Sequence, residues 1–337
     1  MRPMRYDVAQ VTVYDWGAAV PFADCVLRLL PIERRGQKVH ASAMVLEPAA
    51  TSMVDGLDFW GNHVTRVGFR QSHRRLTIRA TARVTVDPPP LLDPDPSPRH
   101  EEIRELVVRS ASLLPDDPVQ FLFPSRWVPL TPAVTEWAAQ SFSAGRSIVA
   151  GALDLTKRIH RDFTYDPNAT DVATPLARAF QARRGVCQDF AHVMIAGLRG
   201  LGLPAAYVSG YLRTVPPPGE KRLEGADALH AWVEVWCGPI LGWIGFDPTN
   251  AVVAGNNHIV VGHGRDYTDV SPVTGIVLSS GTQGLSVAVD VVEVAEPAAG
   301  AGAAKTQSPT GTAPSSPVAA PRLSIAVGCR RATPRPR

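Results

Sequence analysis

The 337-residue chain has few cysteines and no long apolar run, and each shortage excludes a class of protein. Its four cysteines, Cys25, Cys187, Cys237 and Cys329, are far apart and form no Cys-x-x-Cys pair, which argues against a disulfide framework and a structural zinc site. No stretch approaches the ~18 apolar residues of a membrane span. The first residues lack the apolar segment of a signal peptide, so we expect a cytoplasmic protein that binds no membrane.

Acidic residues are absent from the last forty positions, and this absence accounts for the net charge of +3. Residues 298–337 contain six Lys and Arg and no Asp or Glu; without them the chain has 28 basic and 31 acidic residues. The body is therefore slightly acidic, and we predict no nucleic-acid partner. The same segment is rich in Ala, Gly, Pro, Ser and Thr, which predicts a disordered tail.

Periodicity divides the rest of the chain into two folded parts and predicts an α+β protein. Residues 1–90 alternate as short strands, typical of an antiparallel β-sandwich-like domain. A proline-rich run opens the linker and connecting segment at 91–133. Residues 134–297 combine helical and strand patterns, which predicts a core of helices packed on an antiparallel sheet. The helices are predicted at 147–163, 174–184 and 186–200, and the strands at 205–215, 230–236, 242–246 and 284–294.

Cys187 has the most distinctive surroundings of the four cysteines. It lies in Arg-Arg-Gly-Val-Cys-Gln-Asp-Phe-Ala-His, residues 183–192, two positions after a glycine and at the start of a predicted helix. A helix N-terminus carries partial positive charge, which favours a thiolate, and its free N–H groups can bind an oxyanion. The N–H of Cys187 is one candidate donor, and the sequence does not identify a second.

A histidine and an aspartate follow this cysteine at the ends of two predicted strands. His230 lies 43 residues after Cys187, and Asp247 lies 17 residues after His230. One helix and two paired strands fit these separations and bring the ends within hydrogen-bond reach. Each residue alone is most simply structural: a core cysteine, a strand histidine, a turn aspartate. Their joint occurrence predicts a nucleophile, its base and the group that orients the base.

Other polar and aromatic residues near these positions have weaker functional readings. Asp189 and His192 are expected to support the site or pack beside it rather than to catalyse. Trp232 and Trp236 are expected in the core, with a substrate groove as the alternative. His258 and His263 make a weak metal pair without a third ligand, so no metal and no cofactor is predicted.

Five motifs together resemble the bacterial transglutaminase-like family. They are Phe-Thr-Tyr-Asp-Pro at 163–167, the cysteine segment at 183–192, Leu-Gly-Leu-Pro-Ala-Ala-Tyr-Val-Ser-Gly-Tyr-Leu at 201–212, His-Ala-Trp-Val at 230–233 and Gly-Phe-Asp-Pro-Thr-Asn at 245–250. The resemblance extends to 258–267 and, through Asp-Phe-Trp-Gly-Asn at 58–62, to the N-terminal region. It implies a papain-like core with a Cys187–His230–Asp247 triad. Leu229 departs from the small polar residue expected before the histidine.

These observations leave several functions open. The first is cysteine-dependent acyl transfer from an amide or peptide bond through a thioacyl intermediate. Water as acceptor gives a peptidase or amidase, which we favour, and an amine acceptor gives a protein-glutamine gamma-glutamyltransferase. The second is a non-catalytic module that binds a peptide or partner, and the third is an interaction protein acting through its tail. The expected partner is a peptide or protein substrate, and the sequence does not give the oligomeric state.

Overall fold

The computed structural model describes residues 2–87, 97–110, 112–214, 225 and 227–294, together with the backbone of 329–330. Residues 88–96, at the proline-rich start of the predicted linker, and most of the predicted disordered tail lie outside these residues. The strands are β1 (Met4–Val20), β2 (Phe22–Leu27), β3 (Gln37–Glu47), β4 (Ser52–Leu57), β5 (His63–Phe69), β6 (His73–Val86), β7 (Thr164–Tyr165), β8 (Arg184–Gly185), β9 (Ala205–Leu212), β10 (Ala228–Trp236), β11 (Trp243–Asp247), β12 (Val252–Val253), β13 (His258–Gly264), β14 (Val273–Leu278), β15 (Gln283–Glu293) and β16 (Cys329–Arg330). The helices are α1 (His100–Val108), α2 (Pro132–Ala139), α3 (Ile148–Asp162), α4 (Leu176–Ala182), α5 (Cys187–Gly200) and α6 (Tyr267–Val270), with a 3₁₀ turn at Pro118–Phe121.

The predicted α+β class is confirmed, and the strands form three main sheets. Two of them contain the N-terminal strands, in the orders β15-β1-β6-β3 and β16-β14-β2-β5-β4. The third, β12-β11-β10-β9-β13, is antiparallel throughout and belongs to the core. Helix α5 packs against β10 and β9 of this core sheet.

Two strands inside the range predicted for the core join the N-terminal sheets. β15 pairs with β1 over eleven positions, from Tyr6 with Glu293 to Trp16 with Gln283, and β14 pairs with β2. The alternating pattern predicted β15 itself but contained no information about its partner. The chain thus returns to its starting domain after building the core, and the predicted division into domains remains a prediction.

The core sheet and the N-terminal sheets share a buried interface. Tyr211 of β9 is buried, and its hydroxyl group is shared as donor between two acceptors, Gln10 Oε1 at 2.7 Å and Leu29 O at 2.6 Å. The side chain of Gln37 bonds to the backbone of Ile32 and Val260. Buried apolar residues from both sides fill the remaining space, so the two parts stabilise one another.

Helix α5 begins at Cys187, one residue later than predicted, because the residues before it form a short strand. β7 and β8 form a short parallel pair, and Gly185 accepts a hydrogen bond from Asp166 N–H at 2.9 Å. Val193, Met194 and Leu198 then bury the inner face of α5. The short β8 segment therefore fixes where the helix, and with it the cysteine, begins.

The predicted start of α4 at Thr174 is wrong. The helix begins at Leu176, with Pro175 as its N-cap and no side-chain cap. The Thr174 hydroxyl group instead donates to Asp171 Oδ1 at 2.8 Å and accepts the Asp171 N–H at 3.0 Å. Because both of its hydrogen-bonding roles are used in this turn, Thr174 cannot cap the helix.

Within the part of the chain that the structure describes, every helix is too short or too polar for a membrane span. Helix α1 was not expected, since residues 91–133 were assigned to a linker and connecting segment. It is anchored by Ile103 and Val107, which are buried in the core.

Candidate active site

Cys187 and His230 line one cleft, which has a volume of about 160 Å³. The cysteine lies at the first turn of α5 and the histidine lies near the start of β10. Cys187 is half-buried, so its sulfur remains accessible from the cleft. The remaining lining is mostly apolar or aromatic and comprises Tyr165, Pro167, Thr170, Asp171, Val172, Val186, Gln188, Tyr207, Ser209, Leu229, Ala231, Tyr267 and Pro272.

His230 hydrogen-bonds Asp247 and shares the cleft with Cys187. Its Nε2 lies 2.9 Å from Asp247 Oδ2, and Cys187 is near enough to raise its pKa. Because Nε2 faces the carboxylate, the nitrogen left for the sulfur is Nδ1. The three residues predicted from the sequence therefore converge around one imidazole.

The charge state of His230 is set by opposing influences. Burial is the largest and lowers its pKa, but the hydrogen bonds to Asp247 and Cys187 and the charges of both raise the pKa to about 10. Burial also raises the pKa of Asp247, but hydrogen bonds from His230 and His258 hold it well below its usual range. At neutral pH this arrangement favours an imidazolium beside an ionised carboxylate.

Asp189 joins the start of helix α5 to a wall of the cleft. Its Oδ2 accepts the Val186 N–H at 2.9 Å, next to Cys187, and the Thr170 hydroxyl at 2.6 Å. Thr170 belongs to the loop that lines the cleft between β7 and α4. Burial is the main cause that raises the pKa of Asp189. Its contacts are those of a supporting residue, as the sequence suggested.

His192 lies one turn further along α5 and supports two tyrosines of the cleft. Its Nε2 accepts the Tyr267 N–H at 3.3 Å, and its ring packs on Tyr207 with centroids 5.0 Å apart. Burial lowers the pKa of His192 to about 4, so the ring is neutral at physiological pH. Its position is compatible with the packing or supporting role predicted for it.

Two tyrosines near the sulfur were not singled out from the sequence. Burial, and after it the charge of Cys187, raises the pKa of Tyr165, and the same two causes raise the pKa of Tyr207 well above its usual range. Both tyrosines line the cleft together with Cys187, and both hydroxyl groups stay protonated at physiological pH. They lie in the motifs at 163–167 and 201–212.

Trp232 and Trp236 lie outside the lining of the cleft. Trp232 is 1% exposed and packs against the rings of His230 and His258, with centroids 6.2 Å and 5.1 Å away. Trp236 packs against the main core. The expectation of core packing is confirmed, whereas Leu229, the residue that departs from the family pattern, lines the cleft.

His258 and His263, which the sequence offered only as a weak metal pair, have different partners. His263 Nε2 hydrogen-bonds Trp60 O at 2.9 Å, whereas His258 Nε2 lies 3.1 Å from Asp247 Oδ2. Sequence reasoning missed His258 as a neighbour of the site. Its only signal was its position in the segment 258–267.

His230, Asp247 and His258 could in principle hold a metal ion, since their ligand atoms lie within 4.8 Å of one another. The hydrogen bonds favour a different arrangement. Gly255 N–H donates to His258 Nδ1 at 3.2 Å, which leaves the ring proton on Nε2, the atom that faces Asp247. A protonated nitrogen donates a hydrogen bond and cannot ligate a metal, so these residues fit a hydrogen-bonded cluster.

Comparison with known proteins identifies the family of the chain. Residues 135–248 match the transglutaminase-like superfamily, and residues 6–85 match the bacterial transglutaminase-like N-terminal region. An uncharacterized protein of Mycobacterium tuberculosis is 38% identical over 294 residues, which cover 86% of this chain and 92% of that protein. A protein-glutamine gamma-glutamyltransferase of Pseudomonas aeruginosa is 32% identical over 125 residues, which are 37% of this chain and 19% of that enzyme.

A solved structure shares the fold over most of the chain. It is the crystal structure of a protein from Cytophaga hutchinsonii that is named as a candidate cysteine protease, with a TM-score of 0.69 and 20% sequence identity. The alignment covers 88% of this chain and 93% of that one. The chain thus belongs to the transglutaminase-like superfamily and carries the bacterial transglutaminase-like N-terminal region before its core.

Proposed function

We propose that the protein is a cysteine-dependent acyl-transfer enzyme that acts on amide or peptide bonds with water as the acceptor. Its membership of the transglutaminase-like superfamily supports a cysteine-dependent enzyme. One observation supports the finer proposal: His230 hydrogen-bonds the buried Asp247 and lines the same open cleft as Cys187, whose sulfur raises the pKa of the imidazole. A side chain held in this way can accept a proton from the thiol and return it to a leaving group.

The chemistry follows from the position of each group. The Cys187 thiolate attacks the carbonyl carbon, and the oxyanion that forms faces the free N–H groups at the start of α5. Collapse breaks the C–N bond, and the amine leaves with a proton from the His230 imidazolium. His230 then takes a proton from water, whose oxygen attacks the thioester; the C–S bond breaks and releases the acid, and the Cys187 thiolate and the His230 imidazolium are restored. Asp247 stabilises the imidazolium in both steps.

The apolar lining of the cleft supports a peptide-like acyl donor. Tyr165, Val172 and Tyr267 can cover the aliphatic part of a substrate, while Gln188 and Ser209 offer polar groups for its backbone. The cleft can therefore contact both the side chains and the amide groups of a peptide.

The cytoplasmic location expected from the sequence remains a prediction.

One observation favours an amine acceptor as the second candidate function. Asp171 is the one carboxylate among the described residues that line the cleft, and it is exposed. Its Oδ1 makes the hydrogen bonds of the local turn with Ala173 and Thr174, which leaves Oδ2 directed to other partners. A free carboxylate oxygen at the entrance would attract a protonated amine before it attacks the thioester.

Labelling of Cys187 tests the first proposal. The parent protein, Cys187→Ala and the control Cys237→Ala are treated with a thiol-reactive amide probe, and labelled peptides are mapped by mass spectrometry. We expect rapid labelling of Cys187 in the parent and in the control, because burial raises the pKa of Cys237 well above its usual range and leaves that thiol inert. Peptide mapping separates any reaction at Cys329.

Two outcomes would contradict the proposal. Equal labelling of the parent and Cys187→Ala would show that the reactive group lies elsewhere. Iodoacetamide alkylation of Cys187 that rises only near pH ~8.5, where an ordinary free thiol ionises, would favour a non-catalytic binding module. For the second candidate, Asp171→Asn should reduce incorporation of a fluorescent primary amine into a glutamine peptide and leave hydrolysis unchanged, and equal incorporation by both proteins would exclude it.

A further inference from the structure

A second histidine hydrogen-bonds the carboxylate that holds His230. His258 begins β13 at the edge of the core sheet, and its Nε2 lies 3.1 Å from Asp247 Oδ2. The ring is buried, and Trp232 covers it with ring centroids 5.1 Å apart. His230 approaches the same oxygen from β10, and the centroids of the two imidazole rings are 6.3 Å apart.

The backbone fixes which nitrogen of His258 carries the proton. Gly255 N–H donates to Nδ1 at 3.2 Å, so Nδ1 presents its lone pair and Nε2 carries the hydrogen. The ring is thus a neutral donor in one tautomer. It contributes no charge to the cluster, only a directed N–H group aimed at Asp247.

Asp247 depends on such donors because its carboxylate is completely buried. Oδ1 accepts the backbone N–H groups of Thr249 and Asn250 at 2.9 Å and 3.2 Å, and Oδ2 accepts the Asn250 side chain at 2.7 Å. These three donors belong to the same turn as Asp247 and move with it. The hydrogen bond from His258 comes from β13, so it connects the carboxylate at the end of β11 to a different strand of the core sheet.

We propose that His258 is a positioning residue that orients Asp247 Oδ2 towards His230 through its Nε2–H group. The inference rests on the proposed function, because it assigns His258 an effect on Cys187 through Asp247 and His230. Without this bond, the carboxylate can rotate within its turn and the imidazolium loses part of its partner. A hydrogen bond to a buried charge of this kind is among the stronger ones in a protein.

A matched pair of variants separates the hydrogen bond from packing. His258→Gln keeps an N–H donor at a similar reach, and His258→Met fills a similar volume without a donor. We expect Gln to keep the Cys187 alkylation rate at neutral pH within about threefold, and Met to lower it about 10- to 100-fold. In the Met variant, the rise of the rate with pH should also move towards that of a free thiol, and a purely structural change would not cause this.

Several results would overturn the inference. Equal rates in the parent and both variants would do so, as would equal losses in both variants with an unmoved pH profile. If the Met variant does not fold, ¹⁵N NMR of the parent decides, because a proton on Nδ1 of His258 at neutral pH contradicts the proposed donor. If Cys187 of the parent shows no enhanced reactivity, the proposed function itself fails, which this comparison distinguishes from failure of the role of His258.

Discussion

The substitution Asp247→Asn removes the negative charge at the centre of the site with almost no change in shape. The carboxamide still accepts a hydrogen bond through its oxygen, but it no longer attracts the His230 imidazolium. It also brings an NH₂ group that can face His230 Nε2, now 2.9 Å from the carboxylate, and stabilise the wrong tautomer. We therefore expect both a weaker imidazolium and a misoriented ring.

The pKa of His230 sets the size of the expected effect. Its rise from 6.5 to about 10 corresponds to roughly 5 kcal/mol in favour of the imidazolium, at ~1.4 kcal/mol for each pH unit. Hydrogen bonds and charges of Asp247 and Cys187 share this gain and overcome the opposing burial. If Asp247 supplies about half of it, the variant should react with an amide probe on the order of 10²-fold more slowly at neutral pH.

The pH profile of probe acylation gives the decisive test of this reasoning. Leaving-group protonation needs the imidazolium, so the rate for the parent should decline only as pH rises through about 10, the pKa of His230. In Asp247→Asn the decline should begin at least one pH unit lower. Circular dichroism and thermal unfolding of both proteins control for loss of the fold. A variant that is folded and keeps the alkaline limb of the parent would refute the assigned role of Asp247.

Two further predictions concern the support of the site. A Cβ atom at Gly185 would lie 2.5 Å from Asp189 Oδ2, so Gly185→Ala should destabilise the protein by about 1–3 kcal/mol and slow Cys187 alkylation. The control Gly56→Ala, whose nearest neighbour would be 4.0 Å away, should do neither, and equal stability of the two variants would contradict this. Burial lowers the pKa of His192 to about 4 in the folded protein, whereas the pKa of an unfolded histidine is ~6.5. As the pH falls from ~6.5 to about 4, the unfolded chain therefore binds a proton at His192 before the folded protein does, and the free energy of unfolding drops by roughly 3 kcal/mol. His192→Gln should lack this drop in urea unfolding, and parallel pH profiles for the parent and variant would show that another group causes it.

Local patterns predicted the elements that carry the site. Gly185 and the apolar stripe of α5 predicted a helix start within one residue of Cys187, and alternation predicted that His230 lies on a strand. Asp247 was predicted at the end of the next strand, where β11 ends. These features depend on residues close together in the chain, which is why the sequence was sufficient for them.

The features that were missed depend on distant pairing. His258 reaches Asp247 because β13 adds to β9 at the edge of the core sheet, and no local pattern specifies that neighbour. The return of β15 to β1 is of the same kind. Tyr165 and Tyr207 were also missed as lining residues of the cleft, since their position beside Cys187 follows from how two separate segments meet around α5.

A ¹⁵N NMR titration of the His230 ring in the unmodified protein tests the central claim most directly. If the imidazole lies between the Cys187 sulfur and the buried Asp247 carboxylate, both ring nitrogens stay protonated at neutral pH and titrate near the pKa of about 10. A ring that loses its proton near pH ~6.5, as a free histidine does, would contradict the account.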